Sequence, residues 1–546
     1  MMSKKKRTLR LNNKKRDKEI DADHAAAHLP EELVIENILT GLPVRTLAQW
    51  SCVSKLWYNS IFNDTRFAKA HFANSKNRKL NLFVDVLNVW ARDKRKACFL
   101  SLENDFKYRS YMNVNLPETS EPVGYCNGLA CITLVPKSAK DPASMIVINP
   151  SRGETLSLPY FQPNNGGCEY LCHGLGFDSL SEEYKVVIIF TSKDNTKFIT
   201  MVCTLGTKSW RNLVTSVAEI SPPPGCSPFP NRMVSKAWGN IRTPATLCGG
   251  NLFWRITNRE VEEDEVIINN NQYEIHYNDK VGMLLSFDIH KEKIQFIRLP
   301  AECNLIPTPT TTAMINIVVE HHLLEYKGYP CVAVFEKTVD SGIHHGRHRR
   351  NTQTSFCCCR LTIQLCILKN KEKQVWIKGE SFSVQVKELG LLPGPFCCYF
   401  DTTTATTASF PTRILSISDQ VLLYSFDGEC LKFYNFQTKH LEVVRSSSCD
   451  LRSRGIFEAK MKGSPSGNGI DDKDYKEDDM YCPYLDYQLH AQVENIHSLK
   501  TFIPAGETRT FDQFNDFIQF LVSKDNDFAA GWVDTLRKPV KIHAFF

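Results

Sequence analysis

The chain has 546 residues, of which 42% are hydrophobic and 11% aromatic, so it has ample material for a buried core and is not globally disordered. Its net charge of +6 is concentrated in residues 1–20, where nine Lys and Arg stand against two acidic residues, which leaves the rest of the chain at −1. A body so close to neutrality excludes a general electrostatic surface for nucleic acid, and we expect no direct nucleic-acid binding.

The basic N-terminus, residues 1–28, is predicted to be a disordered, solvated tail. Its KKKR and KKR runs are also typical of nuclear-import signals, so both interpretations stay open. No apolar secretory segment follows, and no run of about 18 apolar residues predicts a membrane span. We therefore expect no membrane partner, a location in the nucleus or the cytoplasm, and free thiols at the 20 cysteines.

Residues 29–72 are predicted to form three or four helices. The apolar spacing predicts an inward stripe of Val44, Leu47, Ala48 and Trp50 that continues through Val53, Leu56, Trp57 and Ile61. Pro30 suits the start of the first helix, Gly41 a left-handed end to it, and Pro43 the start of the second, while Asp64 is placed to cap the last. A domain of about 40 residues is too small to bury the two tryptophans and the many aliphatic side chains of this stretch. Either a partner protein or the rest of the chain must cover the surplus.

From about residue 80 to residue 500 the pattern is that of short strands separated by polar turns. A strand–turn–strand unit recurs at 145–159, 201–213, 283–300, 365–382 and 431–444. Asn127-Gly128 predicts a type I′ hairpin turn, since both positions of that turn need positive φ. Allowing for long insertions, the spacing approaches about 50 residues, the period of kelch-like propellers. We predict a β-propeller-like or barrel-like repeat domain with long insertion loops.

Residues 501–546 are predicted to be a C-terminal extension with one amphipathic helix over 511–527, because Phe514, Phe517, Ile518 and Leu521 fall on one helical face. The sequence contains none of the common catalytic motifs: no G-x-S-x-G, no H-E-x-x-H, no G-x-x-x-x-G-K and no dinucleotide-binding glycine motif. Cys168, Cys172 and His173 lack a second ligand pair at zinc-finger spacing. We therefore predict no catalytic residue, no metal and no cofactor, and a protein that is not an enzyme.

The stretch "LPEELVIENILTGLPVRTLAQWSCVSKLWYNSIFNDTRFAKAHF" resembles an F-box. The matching marks are Leu29-Pro30, Leu42-Pro43-Val44, Val53-x-Lys55-x-Trp57 and Phe67-x-x-x-His71. One residue, Asn37, lengthens the interval between the two Leu-Pro pairs. In an α-helix, an extra residue rotates those that follow by about 100°, which makes the register of Ile38 and Leu39 the open point of the resemblance.

The β part resembles the F-box-associated domain of plant F-box proteins. The ordered marks are Gly124-x-x-Asn127-Gly128-Leu129, Asn149-Pro150, Gly176-Phe177-Asp178, Tyr184-Lys185-Val186, Ser209-Trp210-Arg211, Gly250-Asn251-Leu252-x-Trp254 and Ser286-Phe287-Asp288. Residues 490–500 resemble the closing strand of that family. The long insertions have no counterpart in the family pattern.

The resemblance implies a substrate-recruiting subunit of a Skp–cullin–F-box ubiquitin ligase, with a Skp-type adaptor and, through it, a cullin scaffold as partners. It implies that the β domain binds a protein substrate, whose identity is unknown. The adaptor-binding residues that it implies are Leu29, Pro30, Leu33, Ile38, Leu42, Pro43, Val44, Leu47, Val53 and Trp57. The alternatives are an F-box scaffold protein that promotes no degradation, and a propeller-type lectin or enzyme.

Overall fold

The structure, a computed structural model, describes residues 30–76 and, between residues 82 and 513, the strands named below with their shorter connections. Residues 1–29, 221–232, 301–315, 340–358, 386–412, 446–484 and 514–546, with shorter gaps in other connections, lie outside the described part. The chain divides into two compact units. In the described part, the helical unit consists of residues 30–76 and 494–497, and the β unit of residues 82–493 and 498–513.

Four helices make up the helical unit. The first, α1, runs as an α-helix over Glu31–Leu33, as a π-helix over Val34–Ile38 and as a 3-10 turn over Leu39–Gly41. The others are α2 (Val44–Trp50), α3 (Lys55–Asn63) and α4 (Thr65–Lys76).

Local capping explains where the later helices begin. The N–H of Trp57 donates to Oγ of Ser54 at 3.1 Å, so Ser54 caps α3. The N–H of Arg66 donates to Oδ1 of Asp64 at 2.8 Å, so Asp64 caps α4 as predicted. The left-handed end predicted at Gly41 is wrong: Gly41 is not among the glycines with positive φ, and the chain leaves α1 through an extended Leu42 (φ −91°).

The π-helical stretch of α1 accommodates one residue more than a regular α-helix would. The N–H of Leu39 donates to the carbonyl of Val34, five residues back. A π-turn of this kind inserts a single residue into a helix, and the inserted stretch contains Asn37. Val34 and Ile35 stay half-buried and Leu39 fully buried. The turn thus takes up the rotation that the extra residue would otherwise impose on the rest of the helix.

A short segment from the far end of the chain completes the helical unit. We call Glu494–His497 the return segment. Ile496 is 1% exposed and packs in the same apolar cluster as the helices. The buried helix residues of this cluster are Leu39, Val44, Leu47, Ile61, Phe67 and Ala68. Two distant stretches of sequence therefore build one core.

The strands of the β unit are short. In chain order they are β1 (Leu82–Asn88), β2 (Arg95–Leu102), β3 (Tyr108–Leu116), β4 (Glu121–Cys126), β5 (Leu129–Leu134), β6 (Ser144–Asn149), β7 (Glu154–Ser157), β8 (Cys168–Asp178), β9 (Glu183–Ser192), β10 (Lys197–Thr204), β11 (Arg211–Ser216), β12 (Met233–Ser235), β13 (Ala237–Trp238), β14 (Ile241–Arg242), β15 (Thr246–Cys248), β16 (Asn251–Asn258), β17 (Ile267–Asn269), β18 (Gln272–Glu274), β19 (Met283–Asp288), β20 (Lys293–Arg298), β21 (Asn316–Tyr326), β22 (Tyr329–Val339), β23 (Cys359–Asn370), β24 (Val375–Gln385), β25 (Arg413–Ile417), β26 (Gln420–Phe426), β27 (Cys430–Asn435), β28 (His440–Arg445), β29 (Leu485–Ala491) and β30 (Phe511–Gln513). Two 3-10 turns, Val217–Glu219 and Leu499–Phe502, accompany them.

Within the described strands, the β unit contains six antiparallel sheets of four or five strands and two strand pairs. The sheet orders are β29-β1-β2-β3, β30-β7-β6-β5-β4, β11-β10-β9-β8, β12-β16-β19-β20 with β15 beside β16, β21-β22-β23-β24 and β25-β26-β27-β28; the pairs are β13-β14 and β17-β18. Most of these sheets are built from strands that are consecutive in the chain, and two late strands, β29 and β30, join the sheets of β1–β3 and β4–β7. The predicted mainly β, propeller-like architecture with a small helical N-terminal part is confirmed.

The five predicted strand–turn–strand units are all antiparallel hairpins: β6–β7, β10–β11, β19–β20, β23–β24 and β27–β28. The predicted turn at Asn127-Gly128 joins β4 to β5, with φ values of 51° and 79° that fit type I′. Apolar side chains of neighbouring sheets then pack face to face; Val187 and Ile189 of β9, for example, share a buried cluster with Leu252 and Trp254 of β16.

Two predictions near the C-terminus are corrected. The closing strand expected over 490–500 ends at Ala491, since the chain then forms the return segment and a 3-10 turn. The helix expected over 511–527 does not begin there, because Phe511–Gln513 pairs with β7. That pairing gives the exposed edge of the sheet backbone partners. The remaining residues of the predicted helix, 514–527, lie outside the described part.

Candidate functional site

Six large apolar side chains of the helical unit are exposed, and we call them the apolar surface. They are Leu33, Ile38, Trp50, Val53, Leu56 and Tyr58, with exposures between 38% and 66%. A unit of this size has only one small core, which the return segment and the inner sides of the helices already fill. Exposed apolar side chains at this density are typical of protein-binding surfaces.

The π-turn determines which side of α1 contributes to the apolar surface. Leu33 and Ile38 are five residues apart, which is one turn of π geometry, so they lie on the same side of α1. The opposite side carries Val34, Ile35 and Leu39 into the core. An uninterrupted α-helix would separate Leu33 from Ile38 by about 140°.

The corner between α2 and α3 contributes the rest of the surface. The ring centroids of Trp50 and Trp57 are 5.9 Å apart with the rings tilted by 34°, a favourable aromatic pair. Tyr58 makes an edge-to-face contact with Phe62 at 5.4 Å. Because Ser54 caps α3, the preceding Val53 stays outside both helices, where 66% of it is exposed.

The implied adaptor-binding residues differ in exposure. Pro30, Leu33, Ile38, Pro43 and Val53 are exposed, whereas Leu42 and Trp57 are half-buried. Val44 and Leu47 are fully buried and support α2 from within, so neither side chain contacts a partner from this position. Leu29 lies outside the described residues.

Three exposed residues were not among those implied: Trp50, Leu56 and Tyr58. The hydrophobic pattern had placed Trp50 and Leu56 inward, which is wrong. A helical projection of α3 anchored on the buried Ile61 would have found Leu56, since the two are about 140° apart. Trp50 is the last residue of α2, where the helix no longer has neighbours on every side.

The last helix, α4, holds the turn between α1 and α2 through its residue His71. Nε2 of the buried His71 donates to the carbonyl of Leu42 at 2.9 Å, and the His71 ring stacks on Phe67 at 6.2 Å. A carbonyl oxygen only accepts, so this contact requires the proton on Nε2. The Phe-x-x-x-His motif thus supports the Leu42-Pro43 turn.

In the β unit, motif residues join neighbouring sheets. Nζ of the buried Lys185 lies 3.3 Å from Oδ2 of Asp178 and 3.1 Å from Oε1 of Glu292, and donates to the carbonyl of Ile289 at 2.9 Å. Asp178 and Lys185 belong to β8 and β9, whereas Ile289 and Glu292 lie in the β19–β20 turn. Arg211 completes the cluster with two bonds of 2.8 Å to the Glu292 carboxylate.

This cluster keeps its carboxylates charged. Burial raises the pKa of Asp178, but hydrogen bonds from His290, the Leu180 N–H, Ser181 and Lys185 together outweigh burial and hold the pKa well below its usual range. Hydrogen bonds from Arg211 are the main cause of the lowered pKa of Glu292. Both groups are hydrogen-bonded to fixed partners, so the cluster has a structural role.

Three tryptophans link the sheets in the same way. In each case the indole N–H donates to a carbonyl that belongs to the preceding sheet or directly follows one of its strands. The pairs are Trp210 with Pro159 at 2.8 Å, Trp254 with His173 at 2.7 Å and Trp376 with Arg298 at 2.9 Å. The Ser209-Trp210-Arg211 and Gly250-to-Trp254 motifs are therefore explained by contacts between sheets.

Other sites are less developed in the described part of the chain. No group of three His, Cys, Asp or Glu side chains there is arranged to hold a metal ion. Cys131, Cys248 and Cys331 are buried free thiols, and burial raises the pKa of Cys248 and Cys331 to about 12. Among the described helices, none is long and apolar enough to cross a membrane. The acidic 259–265, His/Arg-rich 344–350 and Thr-rich 402–407 stretches lie outside the described residues.

Comparison with known proteins bears on this arrangement. Residues 86–224 match the family described as "F-box associated beta propeller domain". A putative F-box protein of Arabidopsis thaliana is 27% identical over 283 residues, covering 50% of this chain and 59% of the relative. Another F-box protein of the same plant is 25% identical over 366 residues, covering 64% and 74%. The resemblance to plant F-box proteins with an F-box-associated domain is confirmed.

Two solved structures are weakly similar to this chain in fold. AztD from Citrobacter koseri has a TM-score of 0.27 and 9% identity, covering 68% of this chain and 96% of that one. The β-propeller domain of a trilobed protease from Pyrococcus furiosus has a TM-score of 0.24 and 9% identity, covering 60% and 84%. Neither likeness carries an argument about function.

Proposed function

We propose that this chain, whose sequence is similar to plant F-box proteins, is the substrate-recruiting subunit of a Skp–cullin–F-box ubiquitin ligase. Its helical unit binds a Skp-type adaptor, which joins it to a cullin scaffold, and its β unit holds the target protein. One observation carries the proposal: six large apolar side chains are exposed on a helical unit whose small core is already complete. The chain works in the nucleus or the cytoplasm, where those partners meet.

The mechanism is proximity and needs no catalytic residue on this chain. Holding a target beside a ubiquitin-conjugating enzyme raises the effective concentration of the target's lysines at the reactive thioester. The adaptor contact sets how long the assembly lasts, and the target contact sets what is modified. This division agrees with a helical unit and a β unit that are separate compact bodies.

The adaptor contact is tested with a double variant, Leu33→Ala with Ile38→Ala. Each substitution truncates an exposed apolar side chain, so the fold should be kept while an interface of buried apolar contacts is lost. Affinity for a purified Skp-type adaptor, measured by titration calorimetry, should fall about tenfold or more.

Leu180→Ala is the matched control for that experiment, because Leu180 is 75% exposed but belongs to the β unit. It should bind the adaptor as tightly as the parent chain, and the melting temperature of neither protein should change. Equal affinity of the double variant and the control would refute the proposed adaptor surface.

Target binding is assigned to the insertion loops of the β unit. Binding residues concentrate on loops held by a rigid scaffold, and these loops differ in charge. Each of the stretches 259–265, 344–350 and 402–407 is replaced in turn by a Gly/Ser linker, and the retained proteins are compared by mass spectrometry. If every replacement retains the same partners, the loops are not the target site. A target that is bound but receives no ubiquitin in a reconstituted assay would favour the non-degradative scaffold.

A further inference from the structure

Besides its apolar contact, the return segment is joined to the helices by hydrogen bonds of Glu494. The N–H of Val44 donates to Oε2 of Glu494 at 3.1 Å, and the N–H of Glu494 donates to Oγ of Ser75 at 2.9 Å. Glu494 is 8% exposed. The segment is therefore tied to the start of α2 and to the end of α4 as well as to the core through Ile496.

Glu494 supplies a cap for α2 that the residue just before this helix does not. The first backbone N–H groups of a helix have no partner within the helix, and a side chain just before it usually supplies one. At α2 that position is Pro43, which makes no side-chain capping bond. Because Val44 is fully buried, water does not substitute readily, and the carboxylate from 450 residues away takes the place of the cap.

The capped position directly follows one of the implied adaptor contacts. Leu42 and Pro43 form the turn into α2, with the Leu42 carbonyl held by His71 from one side and the Val44 N–H held by Glu494 from the other. Trp50 of the apolar surface lies at the far end of the same helix. An uncapped α2 would fray from this turn, and the side chains that flank it would lose their fixed positions.

We propose that the return segment is an integral part of the adaptor-binding unit, with Glu494 and Ile496 as positioning residues that hold the Leu42-Pro43 turn and α2 in their binding geometry. The inference rests on the proposed function for its partner, a Skp-type adaptor protein. It goes beyond that function, because it makes adaptor binding depend on residues at the opposite end of the chain. Neither residue touches the adaptor in this account.

The test uses the full chain in four variants: Glu494→Ala, Glu494→Gln, Ile496→Val and Glu372→Ala. The last is the matched control, since Glu372 is an exposed carboxylate in the β23–β24 turn. Two quantities are measured for each: the dissociation constant for the purified adaptor, and the amide hydrogen exchange of the peptide that covers α2.

Glu494→Ala should weaken adaptor binding about tenfold and accelerate exchange in α2, because a charged acceptor is lost from a buried N–H. Glu494→Gln keeps an acceptor oxygen and should show a smaller effect on both. Ile496→Val removes one buried methyl group without threatening the fold, and should weaken binding about threefold. Glu372→Ala should match the parent chain.

The outcomes separate this inference from the proposed function. If the parent chain binds the adaptor and Glu494→Ala binds it equally well, the inference is overturned. Weaker binding with unchanged exchange in α2 overturns it too, since the effect would not pass through that helix. If the parent chain does not bind the adaptor, the proposed function fails. In that case, unchanged amide exchange of α2 in Glu494→Ala overturns the inference as well. Faster exchange in that variant would instead support the role of the return segment in holding α2 and the apolar surface.

Discussion

The helical unit and the β unit differ in how many of their large apolar side chains are exposed for their size. In the described part of the chain, the small helical unit exposes six large hydrophobic residues, whereas the much larger β unit exposes seven. Few large apolar side chains of the sheets are exposed, because neighbouring sheets cover both faces of the inner strands. In β9, for example, every residue from Tyr184 to Thr191 is buried. Among the described residues, the β unit thus covers most of its large apolar side chains, whereas the helical unit leaves the apolar surface exposed, which is the feature on which its proposed adaptor contact rests.

Polar groups follow the same division. The β unit satisfies its buried polar side chains between sheets, through the Lys185 cluster and the three indole N–H groups. Cutting such a contact should therefore cost stability and leave adaptor binding intact. The predictions below test that separation, beginning with the largest expected loss.

Glu154→Ala should cost the β unit about 3–5 kcal/mol of unfolding free energy, because it removes the carboxylate that forms an ion pair with the buried Arg152. Glu154 is fully buried and accepts from Nε of Arg152 at 2.7 Å and from the Leu499 N–H at 2.7 Å. Denaturant unfolding measures the loss, and adaptor affinity should stay unchanged. Glu154→Gln, which keeps one acceptor oxygen, should lose less; a loss below about 1 kcal/mol for the alanine variant would contradict the prediction.

Acidification should weaken the β unit partly through Asp178. The folded pKa of Asp178 lies below that of an unfolded aspartate, which is about 3.9. Its contribution is therefore complete above about pH 5 and is lost as the pH falls towards the folded pKa. Unfolding free energies measured from pH 7 down to pH 3 should fall less steeply in Asp178→Asn than in the parent chain. Glu372→Gln serves as the control, and an unaltered slope in Asp178→Asn would exclude this role.

Trp210→Phe should destabilise the β unit by about 1 kcal/mol, because it removes the indole hydrogen bond to Pro159 and keeps most of the ring packing. Thermal unfolding measures the effect. Trp210 packs against an apolar cluster of the β unit, so adaptor affinity should not change. A change in adaptor affinity in this variant would break the separation between the two units.

Deletion of Asn37 should have the smallest effect, within about 0.5 kcal/mol of stability and about twofold in adaptor affinity. Without this exposed residue, α1 becomes a regular α-helix in which Val34 and Ile35 still face the side of Leu39, and Leu33 still faces the side of Ile38. Deletion of Asn59, an exposed residue within α3, is the control. Because α3 contains no π-turn, this deletion rotates the residues that follow it and should destabilise the helical unit. Equal effects of the two deletions would refute the role of the π-turn.

Local patterns in the sequence predicted much of this structure. The alternating runs gave the hairpins, and Asn127-Gly128 gave a turn with the expected φ values. The patterns failed where a contact joins distant parts of the chain. Nothing near Pro43 indicates that Glu494 supplies its cap, and nothing near Phe511 indicates that the outer edge of β7 is free to pair with it.

The candidate site was predicted less completely for a related reason. Helical spacing identifies apolar positions but does not say how much core a small unit has to receive them, so Trp50 and Leu56 were placed inward and are exposed. Motifs taken from the resemblance included Val44 and Leu47, which support the surface from inside. Among the implied residues, those on α1 needed the π-turn to be known before their side could be assigned.

The return segment also determines when, during synthesis of the chain, the helical unit can be completed. Val44 leaves the ribosome 450 residues before Glu494, an interval of about 20–90 s at ordinary rates of synthesis. Throughout it, α2 lacks the Glu494 acceptor and the helical core lacks Ile496. If the return segment positions the adaptor-binding surface as proposed, a chain that stops before residue 494 cannot complete that surface, and translation restricts assembly to chains that extend through the return segment.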